Sequence, residues 1–135
     1  MIPPFNELGH LPPGVHPATL DEIEVRLGNV SEVRRVQMES LRWMVELARK
    51  AGIERIVLNG SFVTDIIEPN DVDCALLTGA NYPSDIQAAL ALEDGLPFLD
   101  IAVVIEIAFK EYTRVTFASD RLNRDKGMIE VVQWN

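Results

Sequence analysis

The spacing of the apolar residues changes at Gly52, and that change bounds what the chain can fold into. Upstream, Val33, Val36, Leu41, Met44, Val45, Ala48 and Ala51 recur at helical intervals. Ser31 stands where an N-cap belongs and Gly52 where a helix stops. Downstream, the apolar residues come in short runs rich in β-branched side chains and closed by Gly, Asn, Asp or Pro, which is strand chemistry. Such runs cover 55–58, 71–77 and the long apolar stretch 97–107, with 113–117 and 128–132 as further candidates. One or two helical turns are expected over 61–67, and a helix from Pro83 to Leu92 with Ile86, Ala89 and Leu90 inward. Ahead of Ser31, Thr19-Leu-Asp-Glu22 has capping-box spacing, and Gly28 can end a short helix there. Residues 1–17 carry Pro3-Pro4, Pro12-Pro13-Gly14 and Pro17, so they form an extended arm, neither helix nor central strand. The order implies one α+β domain over 1–135, a short mixed β-sheet flanked by helices, with no repeat and no linker.

A chain of 135 residues with 47% hydrophobic content can bury a core without staples. One cysteine, Cys74, and two histidines, His10 and His16, exclude a Cys/His zinc site within one chain and any disulfide framework. A reducing, cytoplasmic setting is the expectation. No apolar run is long enough to span a membrane, and no signal peptide is expected at the N-terminus.

The net charge of −9 argues against broad nucleic-acid binding, which needs phosphate-neutralising Lys and Arg. All twelve basic residues fall within 26–55 and 110–126. The stretch 56–109 has none and holds nine acids. Acids without basic partners repel unless solvated or bridged by a cation.

Within that stretch, Leu58-Asn-Gly60-Ser61-Phe62 precedes Asp71-Val-Asp73. Alternate residues of a strand share a face, so Asp71 and Asp73 point the same way, about 7 Å apart. Two such carboxylates can chelate a hard cation such as Mg²⁺ through oxygen. Asp100, between Leu99 and Ile101, completes a three-carboxylate site if its strand is a neighbour. A lone charge among apolar residues is costly unless paired or metal-bound. Glu106 shares its strand parity. The Gly60-Ser61 turn allows close backbone approach, and its amides with the Ser61 hydroxyl can hold phosphate oxygens.

The pattern of a strand, Gly60-Ser61, Asp71-x-Asp73 and a later strand Asp100 resembles the DNA-polymerase-beta-like nucleotidyltransferase superfamily over about 30–110. The arm, Ile2-Pro-Pro-Phe5 with Leu11-Pro-Pro-Gly-Val-His16, is similar to that of a group of small bacterial proteins with the same Gly-Ser and Asp-x-Asp elements. The resemblance implies a minimal nucleotidyltransferase fold and two Mg²⁺ ions held by Asp71, Asp73 and Asp100. It implies a nucleoside triphosphate, such as ATP, held by Gly60 and Ser61, and nucleotidyl transfer to an acceptor hydroxyl with loss of pyrophosphate. By analogy, it implies a toxin–antitoxin or defence setting with a protein partner.

One departure matters. The interval from Ser61 to Asp71 contains Asp65 and Glu68 and no base. Phosphate charge must then be met by metal, by backbone amides, or by Lys110, Arg114 or the 121–126 cluster folding back. Two readings stay open: a working transferase, and a catalytically degenerate fold acting as a nucleotide- or protein-binding, antitoxin-like module. A metal-dependent nuclease or phosphatase on the same acids is a third. Cys74 reads as a small core residue. The Arg34-Arg35-Arg42 face reads as solvated or as a docking surface for an acidic partner.

Overall fold

In the computed structural model, residues 2–120 and 122–135 are described. The arm ends in an edge strand, Gly14–Ala18 (β1), which is where a proline-bearing strand is tolerated. Thr19 then caps Leu20–Ile23 (α1) through a complete capping box, and a π-helical turn, Glu24–Gly28, continues it. Ser31 accepts a hydrogen bond from the Arg34 amide at 3.2 Å and opens Glu32–Ala51 (α2). Gly52, at φ 93°, ends that helix in the left-handed region that suits glycine.

Four further strands follow: Ile53–Asn59 (β2), Val72–Thr78 (β3), Leu99–Val104 (β4) and Gly127–Val131 (β5). Between β3 and β4 lies Ile86–Asp94 (α3), and after β4 lies Glu106–Glu111 (α4). The architecture is α+β, with a five-stranded mixed sheet in the order β1-β5-β2-β3-β4. β2 is antiparallel to β3 and to β5, whereas β1 with β5 and β3 with β4 are parallel.

Strand alternation gives the sheet two buried faces. On one, Ile56, Leu58, Cys74, Leu76 and Ile129 pack with Leu41, Met44 and Ala48 of α2. Each large side chain buried there contributes about 1.5–3 kcal/mol. On the other, Val57, Ala75, Leu77 and Met128 lie with Phe109 and Phe117.

Several expectations are corrected. The 113–117 strand is instead a π-helical turn, Tyr112–Thr116, continuing α4. Its β-branched residues favour strand, but packing of Phe109 and Phe117 on the sheet decides its conformation. The apolar run 97–107 is strand only to Val104, and Glu106 sits in α4, paired with Lys110 at 3.5 Å, away from the strand parity expected of it. The helix expected from Pro83 starts at Ile86 with Asp85 as its cap. Ala88, Ala89 and Leu92 face inward there, and Ile86 and Leu90 are exposed. Over 61–67 only Ser61–Val63 is helical, as one 3-10 turn.

Candidate functional site

The topology gathers one end of the sheet. β2 finishes at Asn59, and its antiparallel neighbours β3 and β5 begin beside that point, as does β4, which runs with β3. In register, Asn59 is the partner of Asp73, and Asp73 is the partner of Asp100. Three polar side chains therefore form one row across β2, β3 and β4, on the face that carries Val57 and Ala75. Asp71 precedes β3 and shares the parity of Asp73. These acids border a cleft of about 650 Å³ with Gly60, Ser61 and Lys126. Asp100 is exposed, so the burial cost expected of a lone charge in an apolar strand does not arise on this edge strand.

Gly60 adopts φ 85° and ψ −175°. A Cβ there would lie 2.9 Å from the Asp71 carbonyl oxygen and 3.1 Å from the Asp73 nitrogen, so the close approach needs glycine. Ser61 turns back onto the acid loop. Its amide donates to Asp71 Oδ1 at 3.1 Å and its hydroxyl to the same oxygen at 2.5 Å. The hydroxyl also accepts from the amides of Asn70 at 3.0 Å and Asp71 at 3.2 Å. The groups expected to hold phosphate are thus engaged in fixing Asp71.

The acids are electrostatically distinct. Burial would raise the Asp71 carboxyl, but the hydrogen bonds from Ser61 and the charge of Lys126 outweigh it and hold Asp71 below the usual range. Asp73 is pushed up to about 6, first by burial, then by the charges of Asp71 and Asp100. It also shares a hydrogen bond with Asp71. Lys126 is buried, donates to the Gly60 carbonyl at 3.4 Å, and is lowered by burial against the opposing charges of Asp71, Asp73 and Asp120. Burial pushes the Cys74 thiol up, and it packs behind the row as a core residue.

The donor set suits Mg²⁺ in kind, since every candidate ligand is oxygen. Asn59 adds a buried Oδ1 without a hydrogen-bond partner among the described residues, its amide nitrogen donating to the Phe117 carbonyl at 2.9 Å. As placed, however, no group of three or more His, Cys, Asp or Glu side chains among the described residues is set to hold a metal ion. Asp71 is turned to Ser61, so one of its carboxylate oxygens is already engaged.

The loop is shaped by residues of α2. Arg34, expected on a solvated face, is buried and uses all five of its N–H donors on backbone carbonyls. It reaches Phe62 at 2.7 Å, Thr64 at 2.7 Å, Ile66 at 2.6 and 3.1 Å, and Leu27 at 3.3 Å. Gln37 donates to Pro69 at 2.8 Å and Ser31 to Ile67 at 2.7 Å. The signal was available: Arg34 lies four before Met38 and seven before Leu41, on the buried stripe. Arg42 pairs with Asp21 and Glu24, and Arg35 with Glu32, so this face is not a free basic surface.

Two more groups come from outside the acidic stretch. His10 of the arm bonds Asp120 at 3.0 Å and lines the cleft. Of the 121–126 cluster, Arg124 and Lys126 line the cleft, and Arg121 lies outside the described residues. Lys110 and Arg114 do not line it.

Residues 3–132 match DUF6932, a family of unknown function, and the chain belongs to that family. No curated protein and no solved structure matches it.

Proposed function

We propose that the chain is a Mg²⁺-dependent nucleotidyltransferase-like protein that moves a nucleoside monophosphate from a nucleoside triphosphate to an acceptor hydroxyl. The observation that carries the reading is the row of Asp73 and Asp100 on adjacent strands, with Asp71 two residues away and the Gly60-Ser61 turn beside them. In this reading Asp71 and Asp73 hold metal, and Asp100 serves the acceptor side, where the cleft is open to solvent. Bound Mg²⁺ supplies charge neutralisation at the attacking and leaving oxygens. Gly60 lets the backbone approach the phosphates, and Lys126 supplies positive charge missing between Ser61 and Asp71, Arg124 being paired with Asp120 at 2.7 Å. The acceptor oxygen forms a bond to the α-phosphorus, and the bond from that phosphorus to pyrophosphate breaks. The hydroxyl proton passes to Asp100.

A second reading, a degenerate fold that binds a nucleotide or a protein partner without transfer, is favoured by one observation: Ser61 spends its amide and hydroxyl on Asp71. A triphosphate labelled at its α-phosphorus separates the two. Label transferred to a lysate acceptor, with equimolar pyrophosphate, supports the transferase. Mg²⁺-dependent binding without transfer supports the binding module.

A further inference from the structure

The two edges of the sheet are protected unequally. β1 is five residues long and carries Pro17, a guarded edge. β4, Leu-Asp-Ile-Ala-Val-Val, has no proline, no lysine and no described partner beyond β3. It is the kind of apolar edge that recruits another strand. Its surroundings are apolar as well. Phe98, Ile105 and Ile107 bracket it at 55%, 65% and 81% exposure. Phe98 takes φ 69°, a conformation unfavourable for a bulky side chain, while remaining exposed. Exposed apolar groups clustered along one edge mark an interaction surface.

We infer that β4 pairs antiparallel with β4 of a second copy of this chain, joining two sheets into one of ten strands. The strand is self-complementary in its apolar pattern, and its one charge need not stand opposite its own copy. Leu99, Ile101 and Val103 pack toward the α2 side of the sheet, whereas Val104 packs toward the Phe109 side. A two-fold axis perpendicular to the sheet keeps these faces aligned. Centred on Ile101, it sets Ile101 opposite Ile101, Leu99 opposite Val103, and Asp100 opposite Ala102. The only charge in the strand then faces a small neutral residue. Centring on Asp100 would oppose two carboxylates, which is destabilising. The pairing also sets the second copy beside Asp100, at the open side of the cleft. It does not depend on what the cleft binds.

Sedimentation of the full chain is expected to give twice the 15.1 kDa chain mass. The double variant Ile105→Lys, Ile107→Lys is expected to halve the observed mass with an unchanged circular dichroism spectrum, because both side chains are exposed. Ile101→Cys is expected to form a disulfide between copies under mild oxidation, since directly paired strand residues lie within disulfide reach. Cys74, being buried, leaves the wild type uncrosslinked. Should the double variant lose its fold, the cross-link decides alone. A monomeric wild type, a dimer whose Ile101→Cys chains do not cross-link, or a chain that pairs only with a different protein would overturn the inference.

Discussion

Asp73 and Asp100 are direct partners across the parallel pair β3–β4, the one half-buried and the other exposed. Burial first, then the neighbouring charges of Asp71 and Asp100, push the Asp73 carboxyl up to about 6.

The folded-state pKa of Asp73 lies above its ordinary value of 3.8. The folded protein therefore binds the extra proton, and stability falls as pH rises from about 4 through 6, then levels. Unscreened, that difference is about 3 kcal/mol, and screening at this half-exposed site reduces it to roughly 2 kcal/mol. Asp73→Asn is expected to be more stable than wild type at pH 8 and to flatten that slope, as read by urea denaturation across pH. A wild-type stability that rises over the same interval would contradict the assignment.

Ser61→Ala removes the hydroxyl that bridges Asp71 and two amides. A loss of about 1–3 kcal/mol is expected. The Asp71 carboxyl should also titrate higher, because the Ser61 hydrogen bond helps hold it down. Carbon NMR of the carboxyl across pH reads this shift directly, and an unmoved Asp71 would show that Ser61 does not tune it.

Arg34→Lys replaces five donors in a planar fork with three on a point. Carbonyls of Phe62, Thr64 and Ile66 lose their partner. The expected cost is about 2–4 kcal/mol. Amide exchange over 61–70 should quicken more than exchange in β2. Uniform exchange would mean that Arg34 does not anchor the loop.

Much of the frame was legible in the sequence because it is written locally. Thr19, Ser31 and Gly52 act within one helical turn of themselves, and the structure bears out all three. The parity of Asp71 and Asp73 is equally local. What escaped depends on distance along the chain. Arg34 looked solvated because its partners, the carbonyls of 62–66, are backbone atoms with no signature in side-chain pattern. Lys126 enters the acid row because β5 lies beside β2, a pairing that no local spacing announces. The 97–107 run reads as one long apolar strand, and hydrophobicity alone does not distinguish a buried strand from an unguarded edge.

Lys126→Met keeps most of the apolar stem of a buried side chain and removes its charge. Triphosphate binding is expected to weaken about tenfold, equivalent to about 1.4 kcal/mol. The Asp73 carboxyl should titrate still higher, since Lys126 is the charge that lowers it. Unchanged affinity would remove Lys126 from the phosphate-binding role.

We propose that Asp71, Asp73 and Asp100 serve a metal-bound nucleotide. Calorimetry with each nucleoside triphosphate, with and without Mg²⁺, on wild type and on Asp71→Asn, Asp73→Asn is its most direct test. Heat of binding that requires Mg²⁺ is expected in the wild type and is expected to be absent in the variant. No binding of any triphosphate at millimolar concentration, with a folded wild type, would contradict it.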